Sequence, residues 1–413
     1  MRMKKLTGSI TILIVSIGFL MNCQPKQKEQ FDEEFQKGTF GYDADFLSKH
    51  QETVILKNDQ AMLAICPAYQ GRVMTSTSGG KKGLSYGWIN YKLIESRDIL
   101  RHINPVGGED RFWLGPEGGQ FSIFFKKGDQ FTLEDWQTPA VIDTETYNMV
   151  SASETSVSFE KEFQIENYSG TSITVKVDRS ISLLSDSQLQ EMLNTKFAGK
   201  LNTVAYQSSN TITNSGDAAW TKESGALSIW ILGMFNPSPS MTILIPFKEG
   251  SENELGQKVN DTYFGKVPGD RLIVGDDILY FKGDGLYRSK IGLNPKRALP
   301  LMGSYDEDAN VLTIVHYSKP EGATDYVNSM WELQDDPFAG DAANSYNDGP
   351  VDGKAMGPFY ELESSSPAAF LNPGESTTHV HTTVHIQGEE TELDAIVQQL
   401  FHVDINTIKN IFP

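Results

Sequence analysis

Two glutamates in one strand-like run offer the plainest chemistry in the chain. In Phe-Tyr-Glu-Leu-Glu-Ser, residues 359–364, Phe359, Glu361 and Glu363 alternate and so share one face of an extended strand. A rise of about 3.3 Å per residue starts the two carboxyls roughly 6.5–7 Å apart. Carboxyls at that separation work as acid/base pairs in glycoside cleavage, and crowding raises one pKa so that it can hold a proton. The plainer alternative is simple pairing with cations. Gly-Leu-Tyr-Arg-Ser-Lys, residues 285–290, puts Arg288 and Lys290 on one strand face. They could form a buried ladder with the glutamates or grip an anionic ligand, arginine in bidentate fashion.

Other groups could join that chemistry. Residues 104–120 crowd Glu109, Asp110, Arg111, Trp113 and Glu117 among glycines and prolines. Trp113 reads as a stacking platform, with Glu109, Arg111 and Glu117 as contacts to a ligand, although Glu109, Asp110 and Arg111 could also neutralise one another. Phe121–Phe125, apolar on both faces, reads as a strand covered on both sides. The Asp/Asn/Gly-rich stretch 334–353 reads as a long loop, with Asn344, Tyr346, Asn347 and Asp348 available to a polyhydroxylated ligand. It could also supply oxygens to Ca²⁺, although it lacks the EF-hand spacing. His379, His381 and His385 share one strand face, an arrangement that suits a divalent metal such as Zn²⁺, or else a solvated face. No pattern demands a cofactor; a divalent cation is the one these patterns admit. His102 precedes the glycine-rich run and His316 sits in a strand; either could pass a proton to a glutamate. Arg179 alternates with Ile173, Val175, Val177 and Ile181, so it points into a core or into a cleft at its end as an electrostatic clamp.

The elements that must position these groups are mostly strands. Residues 155–185 alternate on either side of Asn-Tyr-Ser-Gly and read as a hairpin. Further strands are expected at 226–235, 241–247, 310–317 and 377–387, and helices only at 186–194 and 391–401. The expectation is an all-β sandwich of many strands with few short helices. A basic start (Arg2, Lys4, Lys5), an apolar run from Leu6 to Leu20 and Cys23 read as a lipoprotein signal peptide over 1–22, with Cys23 as the lipidated residue. Residues 23–40 read as a polar tether and 41–413 as one domain. The expected location is a Gram-negative cell envelope, on the outer membrane or periplasmic face, with the lipid as the only membrane contact. With Cys66 the only other cysteine, no disulfide framework is available. A formal charge of −19 argues against nucleic acid as a partner and leaves neutral sugars or cations.

Three segments in order carry a family resemblance: residues 56–74, ending near Gly71-Arg72; residues 210–221, a strand into Asn214-Ser215-Gly216; and residues 359–380, with Glu361, Glu363 and a Pro373-Gly374-Glu375 turn. This order resembles the galactose mutarotase-like (aldose 1-epimerase-like) superfamily, nearest to a bacterial lipoprotein branch. The resemblance implies a β-supersandwich whose concave cleft holds a carbohydrate, in polysaccharide use. It implies an epimerase, lyase or hydrolase, or else a glycan-binding lipoprotein without chemistry. It also implies a histidine acid soon after the Asn214 strand, yet the next histidine downstream is His316. Plain aldose epimerisation is therefore not expected.

Overall fold

Alternation in sequence becomes antiparallel pairing in space. Ser156–Glu166 and Ser172–Leu183 pair over their whole length, with Val157 opposite Ile181 and Ile165 opposite Ile173. The computed structural model describes residues 35–195 and 201–412. The expected signal peptide, Cys23 and most of the tether lie outside those residues. The hairpin belongs to a ten-stranded sheet that runs, in spatial order, Leu272–Val274, Ile278–Lys282, Thr242–Pro246, Leu301–Asp306, Val311–Tyr317, Ser376–Gln387, Asn202–Asn214, Ser172–Leu183, Ser156–Glu166 and Asn148–Ala152.

One face of that sheet is covered by the C-terminal helices Glu390–Phe401 and Ile405–Lys409. Leu393, Ile396, Phe401 and Ile405 pack there on Leu312, Ile314, Val384 and Ile386. The other face meets a five-stranded sheet, ordered Ser289–Leu293, Ala343–Asn347, Tyr360–Ser365, Ser228–Phe235 and Arg111–Gly115. Phe112, Leu114, Ile229 and Ile231 pack with Val175, Val177 and Ile212, and Ile291, Leu293 and Leu362 pack with Ile243, Phe281 and Val315. Each such apolar side chain contributes about 1.5–3 kcal/mol when fully buried, so this interlayer core holds the two sheets face to face. The fold is thus the all-β sandwich with few short helices expected from the sequence.

A three-stranded sheet, Val54–Asn58, Ala61–Cys66 and Arg72–Thr77, completes the architecture. The helices Phe40–His50 and Tyr91–Ser96, neither anticipated from sequence, bury Phe40, Leu47, Leu93 and Ile94 against Met62, Ala64 and Met74. Cys66 lies in the same cluster, and burial pushes its thiol up to about 12.

Two local expectations need correction. Phe121–Phe125 is buried but is not a strand. Its backbone groups bond locally: Ser122 N–H donates to the Gly119 carbonyl, Ile123 N–H to the Pro116 carbonyl, and Phe124 N–H to Ser122 Oγ. The strand lies earlier, at Arg111–Gly115, inside the expected loop. Within 334–353, Ala343–Asn347 is an inner strand of the five-stranded sheet, paired on both sides, and not part of a loop.

Candidate functional site

The outer face of the five-stranded sheet gathers most of the chemistry found in sequence. Strand register builds it row by row. Lys290 stands opposite Tyr346, Tyr346 opposite Glu361, and Glu361 opposite Met234. In the next row Asn344 faces Glu363, Glu363 faces Leu232, and Leu232 faces Arg111. A third row sets Ser365 beside Trp230 and Trp230 beside Trp113. A cleft of about 810 Å³ lies over this face.

Ion pairs tie the floor together. Arg111 Nη2 donates to Glu361 Oε1 at 2.8 Å, with both side chains under a tenth exposed. Lys290 Nζ donates to Glu363 Oε2 at 2.9 Å, and Trp230 Nε1 donates to the same oxygen at 2.9 Å. The Arg111 guanidinium lies 4.3 Å from the Trp113 ring centroid, and Lys290 Nζ lies 4.6 Å from that of Trp230. These are the distances of cation–π contacts, so each cation is held by a carboxylate and an indole together.

A third carboxyl unbalances the set. Glu117 lines the same cleft; burial raises its pKa, Lys290 and Arg111 lower it, and Glu363 raises it. Burial also pushes the Glu361 carboxyl up to about 8, with Glu363 adding to the rise, although Arg111 pulls the other way. Desolvation outweighs the ion pair here. Three carboxyls around two cations leave one negative charge in surplus, and a proton on Glu361 removes it.

The floor also presents unsatisfied polar atoms. Arg111 Nε, Trp113 Nε1, Ser228 Oγ and Glu363 Oε1 are buried without a hydrogen-bond partner among the described residues. Such groups are costly unless something bonds to them. Around them stand Trp113, Trp136, Trp230 and Trp331, four of the six tryptophans of the chain. Trp136 stacks on Trp331 at 5.7 Å and on Phe124 at 5.8 Å, which locks the planes of this wall.

Two tyrosine–aspartate pairs close one end. Tyr346 Oη donates to Asp348 Oδ1 at 2.6 Å, and Tyr263 Oη to Asp341 Oδ2 at 2.5 Å. Asn344 Nδ2 donates to the Tyr263 oxygen at 3.2 Å. Burial pushes Asp341 up to about 6 and also raises Asp348. Arg288 stands nearby, its guanidinium 4.0 Å from the Phe264 centroid. At the other end His102 lines the cleft with Nδ1 2.6 Å from the Trp136 carbonyl oxygen. A carbonyl only accepts, so Nδ1 is the donor in this bond.

Of the sequence candidates, Glu361, His102, Arg111, Trp113, Glu117, Arg288, Lys290, Asn344, Tyr346 and Asp348 therefore line one cleft. Glu363 lies just beneath its surface, fully buried under Lys290 and Trp230. The rest are elsewhere. Glu109 points between the sheets, where it accepts from Ser76 N–H, Ser76 Oγ, Tyr206 Oη and His385 Nε2. Arg179 is sealed in the same layer, bonded to Asp110, Asn210 and the Gly71 carbonyl. Asn347 alternates to the inner face and holds the turn at Gly285 and Tyr287. His316 lies on the helix-covered side of the ten-stranded sheet with Leu312 and Ile314, its pKa lowered by burial.

The three-histidine face also turns inward. His379 Nε2 and His381 Nδ1 both bond to Ser364 Oγ at 2.8 Å, while His385 Nδ1 bonds to Thr313 Oγ1 at 2.9 Å. Burial lowers His379 to about 3 and His381 to about 4. Among the described residues no group of three or more His, Cys, Asp or Glu is placed to hold a metal ion.

Trp136, Trp331, Tyr263, Asp341 and Ser228 line the cleft without having been singled out from sequence. The tryptophans lie in irregular segments whose only signal is an indole in a polar stretch. Tyr263 and Asp341 are 78 residues apart and meet only in the folded chain.

Residues 38–412 match the model of a family of unknown function, DUF6786. No curated protein matches the chain. Among solved structures, the chain is similar to a protein from Synechocystis sp. PCC 6803, with 13% identity over 82% of this chain and 96% of that one and a TM-score of 0.49. It is also similar to an Escherichia coli K12 protein with a provisional aldose 1-epimerase assignment, at 14% identity over 81% of this chain and 98% of that one, TM-score 0.47. A third similarity is to a galactose mutarotase-like protein from Lactobacillus casei ATCC 334, at 11% identity over 81% of this chain and 100% of that one, TM-score 0.47.

Proposed function

We propose that the chain, which belongs to the DUF6786 family, binds a saccharide on the outer face of its five-stranded sheet and moves a proton on it through Glu361. The observation that carries this reading is the floor itself. A buried carboxyl pushed up to about 8 sits beside Arg111, among tryptophan planes, with donors and an acceptor that lack protein partners. The apolar C–H face of a pyranose packs on an indole, and its hydroxyls both donate and accept. Trp113 Nε1, Arg111 Nε and Ser228 Oγ, all on residues that line the cleft, supply complementary atoms. Glu361 then delivers a proton to a ring or glycosidic oxygen and Arg111 steadies the carboxylate left behind, while His102, in the same lining, is the candidate to take up a proton.

The test is a panel of reducing mono- and oligosaccharides. Anomeric exchange by NMR reports an epimerase, new reducing ends a hydrolase, and ultraviolet absorbance of an unsaturated product a lyase. Any of these activities should fall at least a hundredfold in Glu361→Gln while binding persists. Full activity in that variant contradicts the assignment. A second reading, a glycan binder without chemistry, is favoured by the ion pairs that already engage Glu361 and Glu363. It predicts saturable binding with no product in any of the three assays.

The N-terminal pattern supports attachment to a cell envelope through acylated Cys23. Cys23→Ala should move the protein from the membrane fraction to the soluble one and abolish labelling by a fatty acid.

A further inference from the structure

The walls of the cleft change character from floor to mouth. Trp113, Trp230, Arg111 and Glu361 at the floor are buried and polar or aromatic. At the mouth the exposed lining residues include Leu100, Leu133, Phe264, Val351 and Met356, large apolar side chains left facing solvent. Leu133 is 62% exposed. Soluble proteins seldom concentrate such residues around one opening unless something apolar covers them.

These residues sit at both edges of the sheet. Leu100 and Leu133 belong to segments tied together by Arg101 Nη2 donating to the Glu134 carbonyl and Thr138 N–H donating to the His102 carbonyl. That wall joins the Arg111–Gly115 edge through Trp136, Phe124 and Trp113. Phe264 meets Tyr346 edge-on at 6.0 Å and lies under Arg288, beside the Ser289–Leu293 edge. A ligand leaving the floor therefore passes between apolar side chains on both sides. At about 810 Å³ the cleft also lies toward the large end of small-molecule sites, roughly 300–1,000 Å³.

Resting on the saccharide reading of the floor, we infer that the ligand is amphipathic: a sugar whose ring occupies the tryptophan floor and whose attached acyl or alkyl chain lies along the Leu100, Leu133, Phe264, Val351 and Met356 mouth. A plain polar oligosaccharide would hold its hydroxyls against these side chains without a hydrogen bond from them, and of the exposed lining only Arg101, Glu332 and Lys354 carry charged groups it could bond. A chain of methylenes gains about fourfold in affinity for each one fully buried.

The probes are methyl, hexyl and octyl glucosides and galactosides, titrated by calorimetry below their micelle concentrations. Affinity should rise at least tenfold from methyl to octyl. In a Leu133→Ser/Met356→Ser double variant that rise should shrink at least threefold, with methyl-glycoside affinity and melting temperature unchanged. Equal affinity for methyl and octyl glycosides overturns the inference while leaving the saccharide site standing, as does an octyl gain that the double variant keeps. Binding of 1-octanol as tight as that of octyl glycosides, or no binding by any glycoside or free saccharide, removes the saccharide reading as well. For Cys23→Ala protein, which carries no lipid of its own, co-sedimentation with vesicles carrying a glycolipid, and not with plain phosphatidylcholine vesicles, would place the ligand's alkyl chain in a bilayer. Binding of monomeric octyl glycosides alone would mark a free, acylated sugar.

Discussion

The two faces of the five-stranded sheet hold the same residue types and put them to different ends. On the inner side Arg179 pairs with Asp110 at 2.6 Å and Glu109 with His385 at 3.1 Å, all with side chains no more than 1% exposed. On the outer side Arg111 pairs with Glu361 and Lys290 with Glu363 at similar distances. The inner set is enclosed between the sheets and densely bonded. Glu109 accepts four hydrogen bonds, and Arg179 reaches Asp110, Asn210 and two backbone carbonyls. Asp110 Oδ2 and His381 Nε2 are left over there, but between the sheets and not on a cleft. The outer set carries a surplus carboxyl and leaves unsatisfied atoms on a cleft. Ion pairs of one kind are scaffold where they are enclosed and a candidate site where they are open.

The largest expected effect tests the inner face. Arg179→Met strands Asp110 as a buried charge, and removing one partner of such a pair typically costs 3–5 kcal/mol. Urea unfolding should show a loss of that order; a loss below 1 kcal/mol would mean the inner pairs are not the scaffold. Trp230→Phe on the outer face should cost less than half as much stability, yet weaken saccharide binding about tenfold, because it shrinks the stacking plane and removes the indole donor to Glu363.

The pH dependence separates the faces further. The Glu361 carboxyl is raised from 4.5 to about 8 in the folded chain. Between those values the native state binds the extra proton, so this group stabilises most below about 4.5 and its contribution disappears as pH rises through about 8. Stability measured from pH 5 to 9 should therefore slope downward, and Glu361→Gln should flatten the slope. A reaction that uses the protonated acid should likewise decline above about pH 8. The smallest effect belongs to the inner histidines. His379, His381 and His385 are bonded to Ser364, Thr313 and Glu109, so treatment with a chelator should leave the melting temperature within about 1 °C.

Much of the outer face was legible because a strand has a period of two. Alternation sets Glu361 with Glu363 and Arg288 with Lys290; of the two readings open for these cations, a ladder exists between Lys290 and Glu363, while Arg288 lies against Phe264. Period two does not say which face looks outward. Glu109 and Arg111 lie two residues apart in one charged run, yet Glu109 enters the interlayer and Arg111 the cleft. Alternation puts the histidines at 379–385 on one face, but the direction of that face depends on Ser364 and Thr313 from two other strands. Ala343–Asn347 was hidden because Asn, Ser and Asn favour turns locally, and pairing on both sides overrides that preference. Trp136 and Trp331 could not be joined from sequence, since no periodicity links residues in irregular segments.

The central claim is that the tryptophan floor beside Glu361 binds a sugar ring. Its most direct test is a titration of wild-type protein and Trp113→Phe/Trp230→Phe with the saccharide and alkyl-glycoside panel, followed by intrinsic fluorescence and calorimetry. Saturable binding in the wild type that weakens at least tenfold in the double variant is the predicted result. Absence of saturable binding across the panel, or equal affinity in both proteins, would contradict it.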